Sequence, residues 1–376
     1  MSNDTFNQQN ITTADVECDA EVDPYSVIKL FNFGLTVFIS LFGLASNTLV
    51  GLVYRRTKLL SSTDVYLTAL ALSDNVQIIF ISLYAYRYVY QLLFPGVLDW
   101  RPSGVVTLSG ILITSMSQFV NTYIIVLLGV DRFLQVKRIS LAKTWCQPRR
   151  AKISLAVITA SAVVFCIPRW FEYIPLMIHY KETVDKCYGY FTESYGLGTS
   201  AQYRLIYSFI LYILVMYFVP LVIISFTSGT LVVAIWKRAR WLRKIQSEML
   251  HSNHASRLKR TEVNAITTLV IVTISFILFQ IPDMVLQFIW RLAPLYGPTA
   301  SIFSYQLILL NSSINFIIYA VSSNAFRSRL SKVFRCLAAN DVEGPENTML
   351  GAHGTNYEPT LKSFKTHSKN NITKVS

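Results

Sequence analysis

The stretch LNSSINFIIYAVSSNAF (Leu310–Phe326) is a long apolar run broken by amides and hydroxyls. An unpaired polar group in hydrocarbon costs several kcal/mol. Asn311, Ser312 and Asn315 must therefore face other helices or trapped water rather than lipid, as polar residues inside membrane helices do. The run reads as one spanning helix of a bundle with a polar interior, and the remainder of the chain agrees. Of its 376 residues, 52% are hydrophobic and 15% charged, against about 25% charged in soluble domains. Apolar stretches of bilayer length, roughly 20 residues, fall near 27–53, 64–92, 104–130, 153–173, 205–236, 264–290 and 299–321. Polar residues interrupt the second, third and seventh. The expected fold is an all-α membrane protein, a seven-transmembrane helix bundle.

The net charge of +13 would suit a nucleic-acid partner, but its distribution argues against one. Basic residues cluster between alternate spans: Arg55, Arg56 and Lys58, then Lys137 to Lys152, Lys237 to Arg260, and Arg327 to Arg335. The N-terminal segment is acidic (Asp15, Glu17, Asp19, Glu21, Asp23). This asymmetry predicts an extracellular N-terminus and a cytoplasmic C-terminus, with the basic side drawn to anionic inner-leaflet lipids. A multi-pass plasma-membrane protein is expected. Residues 1–24 lack the apolar core of a cleavable signal peptide, so the first span is expected to direct insertion. Asn3 and Asn10 begin glycosylation sequons on the outer arm. Five cysteines do not make a disulfide framework. Cys18 and Cys187 fall outside, Cys166 within a span, and Cys146 and Cys336 inside.

Three regions follow: an outer glycosylated arm (1–24), a helical domain (25–337) and a disordered cytoplasmic tail (338–376). Within the domain, residues 324–337 place Phe326, Leu330, Val333, Phe334 and Leu337 on one face with Arg and Lys opposite. That is the pattern of a short amphipathic interfacial helix. Cys336 near its end is a palmitoylation candidate or a free thiol. The outer loop 174–203 contains Cys187-Tyr188-Gly189-Tyr190-Phe191, which fits a short hairpin. The lack of an internal repeat argues against a transporter built from duplicated halves.

The segment Asn315-Phe316-Ile317-Ile318-Tyr319 resembles the N-P-x-x-Y motif of rhodopsin-family (class A) G-protein-coupled receptors, with Phe for Pro. Asp131-Arg132-Phe133 at the end of the third span resembles their D-R-Y, with Phe for Tyr. Asn47 and Asp74 precede these in the family's order. On the residues alone, Asp74 is either a carboxylate in the bundle interior or an acid reaching the interface from a helix end. The resemblance implies a sodium and water pocket at Asp74, with Asn47, Asn121, Asn311, Ser312 and Asn315 offering the oxygens a hard cation prefers. Sodium would be an allosteric ion; no other cofactor is expected.

The resemblance further implies that Arg132, beside Asp131, acts as latch and G-protein contact with Glu262 as its resting partner. The bland alternative is a solvent-exposed ion pair worth little. Pro220 and Pro282 lie within apolar helices, where proline produces a kink; the family uses both as pivots, and Phe276 matches its transmission aromatic. Several positions depart from the family. Gln280 replaces a Trp, Ser228 replaces a Tyr, and the helix-three cysteine is missing near Thr107. Cys18 is a candidate partner for Cys187; a free or intermolecular Cys187 is the alternative. Thr348, Thr355, Thr360, Ser363, Thr366 and Ser368 are candidate phosphoacceptors for receptor kinases and arrestin.

The third span carries Thr114, Ser115 and Gln118 at pocket level and no acid, which disfavours an amine receptor. The seventh span has no Lys for a retinal Schiff base. The absence of nucleophile–base and metal-ligand patterns argues against an enzyme. The stretches SSTDVYLTALALSD (Ser61–Asp74), IPRWFEY (Ile167–Tyr173), VMYFVPL (Val215–Leu221) and NSSINFIIY (Asn311–Tyr319) resemble invertebrate FMRFamide-type neuropeptide receptors. That resemblance implies a short peptide ending in Arg-Phe-amide and a heterotrimeric G protein as partner. Asp283, Glu172 and Glu193 are candidates for its cation. Tyr84, Tyr88, Trp100, Trp170, Phe288 and Trp290 are candidates for its ring through stacking or cation–π contacts. Gln118 and Gln287 are candidates for its amide end. Each also fits plain packing or the aromatic belt of a membrane protein. Another peptide or a chemosensory ligand, or a seven-span transporter, are the alternative functions.

Overall fold

The computed structural model describes residues 26–56, 61–93, 100–179, 188–194, 196–248, 253–292 and 297–342. Among them, seven helices are long and apolar enough to cross a membrane. They span Leu30–Arg55, Ser62–Leu83, Ser109–Lys137, Pro148–Phe171, Ala201–Lys237, Ile266–Ile289 and Ala300–Ser322, within a few residues of the stretches read from hydropathy. The elements in order are α1 (Ser26–Arg56), α2 (Ser62–Leu93), α3 (Trp100–Lys137), short α4 (Ile139–Trp145) and α5 (Pro148–Cys166). A 3₁₀ turn (Ile167–Phe171) leads to strands β1 (Tyr173–His179) and β2 (Tyr188–Ser194), then a second 3₁₀ turn (Gly196–Thr199). The fifth span joins α6 (Ala201–Tyr203), π-helical segments (Arg204–Leu211 and Leu214–Phe218) and α7 (Val219–Glu248). The bundle ends with α8 (Asn253–Leu292), α9 (Gly297–Ser322) and α10 (Asn324–Val342).

Local chemistry sets several boundaries. Ser61 Oγ accepts the Asp64 backbone N–H at 3.1 Å, capping the start of α2. Pro148 occupies the first position of α5, where its missing N–H costs nothing. The apolar residues divide in the sense opposite to a soluble protein. Phe38, Leu72, Val164, Phe226, Leu278 and Val321 are exposed, while the interior holds much of the polarity, including Asn47, Asp74, Gln118, Asn121, Asp283 and Asn315. Between these polar layers, an apolar core packs Val53, Leu70, Ile124, Leu128, Ile224, Phe276 and Tyr319.

The expected hairpin is present: β1 and β2 pair antiparallel from Tyr173↔Ser194 to His179↔Tyr188. Residues to Val333 form one compact unit and Phe334–Ser376 a second, the latter described only through the last turns of α10. That helix continues to Val342, beyond the amphipathic stretch ending at 337, because Ala338 and Ala339 are strong helix formers. Earlier in α10, Phe326 and Val333 join the apolar core. Arg329 pairs with Asp64 at 2.9 Å and lies over the Tyr54 ring.

Candidate functional site

Three polar layers occupy the bundle. In the layer farthest from Arg132, Asp283 is buried on α8. Gln118 Nε2 donates to its Oδ2 at 3.1 Å and Tyr217 OH to the same oxygen at 2.8 Å. Ser304 Oγ donates to Oδ1, and Gln287 Nε2 donates to Ser304 Oγ at 3.2 Å. Gln118 and Gln287, read as contacts for an amide end, thus serve the carboxylate directly and through Ser304. Thr114 is buried one turn farther along α3. Phe288 packs edge-on against Phe209, with centroids 5.4 Å apart. Tyr217 and Ser304 did not stand out in the sequence, since each is an ordinary polar residue of a span.

Arg169 and Glu172 lie near this layer. Ser115 Oγ accepts from Arg169 at 2.6 Å, and the guanidinium lies 4.4 Å from the Tyr212 ring centroid. Glu172 Oε1 accepts from Tyr203 OH at 2.9 Å and Ser208 Oγ at 2.7 Å. Trp170 between them is 50% exposed. Glu193 and Trp100 belong to β2 and α3, but their side chains lie outside the described set, as do those of Tyr84, Tyr88 and Trp290.

The middle layer centres on Asp74. Asn121 Nδ2 and Asn315 Nδ2 each donate to it at 2.9 Å. Asn121 also donates to Gln77 Oε1 at 2.6 Å, as does Ser312 Oγ at 3.1 Å. Asn47 Nδ2 donates to the Ser312 carbonyl at 2.9 Å. The buried interior position of Asp74 decides between its two sequence readings. Gln77 is a hub that no motif pointed to. A cavity of about 20 Å³ separates this layer from Asp283, lined by Gln77, Gln118, Asn121, Gln280, Asp283 and Asn311 among others. That is room for a water, which needs roughly 10–15 Å³.

Gln280, standing where the family has Trp, has a visible task. Pro220 has no N–H to offer the Met216 carbonyl four residues earlier. Gln280 Nε2 donates to that carbonyl at 3.3 Å, and Tyr123 OH donates to the neighbouring Val215 carbonyl at 3.0 Å. The fifth span is thereby tied beside Pro220 to α8 just before Pro282, which lies within that helix. Removing the donor takes this hydrogen bond from a carbonyl of the buried Met216 that Pro220 cannot serve, at about 1–3 kcal/mol. Gln280→Leu is therefore expected to lower the melting temperature of the purified ligand-free protein by on the order of 5 °C. An unchanged melting curve would show that the bond contributes nothing. Ser228, the other family departure, donates to Thr273 Oγ1 at 2.9 Å, a second tie between α7 and α8.

The third layer closes the basic end. Asp131 accepts from Ser62 Oγ at 2.7 Å, Thr63 Oγ1 at 3.2 Å and Gln135 Nε2 at 2.8 Å. Arg132 donates to Gln135 Oε1 at 2.7 Å and to Thr63 Oγ1 at 2.6 Å. Thr63 thus bridges both residues of the motif, a role the sequence did not signal. Arg132 and Tyr319 line a cavity of about 150 Å³ with Thr63, Asp64, Phe326 and Arg329. Phe276 and Tyr319 are buried in the apolar core above it. Burial, and then the nearby Asp131 charge, push the Cys146 thiol up to about 12, which keeps it protonated. Glu262 lies on α8 with its side chain outside the described set, as is that of Cys336; Cys18, Cys187, Asn3, Asn10 and the tail phosphoacceptors lie wholly outside the described residues.

Comparison with known proteins finds relatives of this chain among receptors. The chain is 23% identical to the sex peptide receptor of Drosophila melanogaster, over 91% of this chain and 81% of that protein. It is 24% identical to the Drosophila melanogaster FMRFamide receptor over 79% of this chain, but spans only 52% of that relative's length. Against somatostatin receptor type 5 of Rattus norvegicus it is 26% identical, over 81% and 77% of the two chains. The family described as 7 transmembrane receptor (rhodopsin family) matches residues 46–319, a stretch that holds all three polar layers. With its seven spans and the motifs those layers contain, this multi-pass membrane protein belongs to the rhodopsin family of seven-transmembrane receptors.

Proposed function

We propose that the protein is a plasma-membrane receptor for a short amidated peptide of the Arg-Phe-amide type and activates a heterotrimeric G protein. The observation that carries this reading is the Asp283 carboxylate, enclosed among the described residues by uncharged donors alone. A buried charge without a counter-charge is costly, and a ligand cation arriving there supplies one. Relatives of this chain are named as receptors for a sex peptide and for FMRFamide, which supports a peptide as the source of that cation.

The route to the other end is short. A cation at Asp283 competes with Gln118 and Tyr217, which belong to α3 and the fifth span. Gln280 lies one turn from Asp283 on α8 and ties that helix to the fifth span beside Pro220. Repacking there swings α8 about Pro282 and draws Arg132 from its Thr63 and Gln135 partners, opening the basic end to the G protein. From Gln118 to Arg132, α3 covers roughly 21 Å at 1.5 Å per residue.

An allosteric sodium ion at Asp74 belongs to the same reading. The buried Asn47 Oδ1 and Asn121 Oδ1 have no hydrogen-bond partner among the described residues, and oxygens of this kind beside a carboxylate fit a hard cation. Asp74, with Asn47, Asn121, Asn311, Ser312 and Asn315, would hold it, and the ion would supply positive charge to the layer.

The test is G-protein activation in cells carrying the receptor at their surface, challenged with amidated Arg-Phe peptides and their free acids. A response to the amides at least tenfold more potent than to the acids is expected. Silence toward both would reject the ligand class and leave the receptor reading intact.

A further inference from the structure

Arg169 and Glu172 form an opposite-charge pair that makes no ion pair with each other among the described residues. Their proximity comes from the backbone. The Glu172 N–H donates to the Arg169 carbonyl at 3.2 Å, closing a 3₁₀ turn in which side chains three residues apart eclipse. The turn sends Trp170 and Phe171 outward, 50% and 59% exposed, and leaves Glu172 at 5%. Both charges are anchored by neutral groups. Arg169 is held by Ser115 and the Tyr212 ring, while its buried Nε has no hydrogen-bond partner among the described residues. Glu172 takes both of its described donors, Tyr203 and Ser208, on Oε1. Gly196 at φ +52° and Gly198 against the Glu172 backbone let the chain pass this closely. A Cβ at Gly198 would collide with that backbone.

The pair is also placed relative to Asp283. Ser115 and Gln118 are three residues apart on one face of α3, so Arg169 is anchored one turn from the residue that reaches Asp283. Tyr212 beneath Arg169 packs against Tyr217, with centroids 6.1 Å apart, and Tyr217 donates to Asp283. Two separate charge sites therefore share one wall: a carboxylate, and one helical turn away a donor beside an acceptor.

We propose that Arg169 and Glu172 form a subsite for a terminal primary carboxamide. Arg169 donates to the carbonyl oxygen, and Glu172 accepts the amide N–H. A free carboxylate has the oxygen for Arg169, but brings a negative charge where Glu172 needs a donor. This assigns Glu172 to the peptide's amide terminus rather than to its cation, which belongs to Asp283. The assignment rests on the amidated-peptide reading above.

The test compares Phe-Met-Arg-Phe-amide, its free acid and its N,N-dimethylamide on wild type, Glu172→Gln and Arg169→Gln, each corrected for surface expression. Wild type is expected to prefer the primary amide over both analogues by about tenfold or more, the scale of a hydrogen bond to a charged group. Glu172→Gln keeps a side-chain oxygen for Tyr203 and Ser208, and should shrink the amide-to-acid ratio at least tenfold. Arg169→Gln should weaken the amide by a similar factor. A dimethylamide as potent as the primary amide on wild type overturns the subsite without any variant needing to fold. So does an undiminished amide-to-acid ratio in Glu172→Gln, and both results leave the peptide reading standing. Silence of surface-expressed wild type toward all three removes the ligand class and the subsite together.

Discussion

Asp283→Asn is expected to lower the potency of an arginine-bearing peptide about 30- to 4,000-fold, with surface expression retained. Removing one partner of a desolvated charge pair costs roughly 2–5 kcal/mol, and each 1.4 kcal/mol is about a factor of ten. The amide is nearly isosteric with the carboxylate and can be accommodated by the same neighbours. Its oxygen takes the place of Oδ2 and accepts from Gln118 and Tyr217. Its nitrogen faces Ser304, whose hydroxyl can accept as well as donate. The substitution therefore removes charge while keeping the local hydrogen bonding, and agonist potency separates those two effects. A peptide with citrulline in place of arginine should lose potency on wild type and show little difference on Asp283→Asn. A preference for arginine that survives in the variant would place the cation elsewhere.

Thr63→Val is expected to raise ligand-free signalling per surface receptor about tenfold. Thr63 Oγ1 accepts from Arg132 at 2.6 Å and donates to Asp131 at 3.2 Å. Valine matches its shape but removes the hydroxyl, so the swap is not conservative at this position. Hydrogen bonds to charged groups contribute about 1.5–3 kcal/mol each. Both bonds hold α2 against the end of α3, and displacement of Arg132 breaks the first of them. Losing about 1.5–2 kcal/mol from the resting state alone shifts the equilibrium toward the open state by about an order of magnitude. Asp131 retains Ser62 and Gln135, and Arg132 retains Gln135, so the fold should survive. Basal signalling equal to wild type would mean that Thr63 does not restrain Arg132.

The spans were legible because a bilayer requires one length and one polarity of every crossing helix. The middle layer was legible in part for a related reason. The cost of an unpaired amide in hydrocarbon turned Asn315 inward, while its grouping with Asp74 and Asn121 came from the resemblance to rhodopsin-family receptors. Asp283 stood out through the resemblance to FMRFamide-type receptors, which implies a partner for a peptide cation. Thr63, Gln77, Tyr217 and Ser304 did not, because which face of a helix meets which neighbour is decided by packing. The π-helical segments before Pro220 have no local signature beyond the proline. Arg169 was obscured by its setting between Pro168 and Trp170, where an interface belt is the natural reading. Only the 3₁₀ turn brings it alongside Glu172. Gln280 looked like a lost aromatic switch, and its bond to Met216 becomes visible once the missing N–H of Pro220 is followed across to α8.

The most direct measurement is guanine-nucleotide exchange by a purified heterotrimeric G protein with the purified receptor in lipid nanodiscs, with and without Phe-Met-Arg-Phe-amide. The structure of the three layers predicts acceleration by the amide on wild type, little acceleration on Asp283→Asn at the same peptide concentration, and a raised peptide-free rate on Thr63→Val. Equal acceleration of wild type and Asp283→Asn would contradict the account, because the carboxylate at one end would then have no part in what reaches Arg132 at the other.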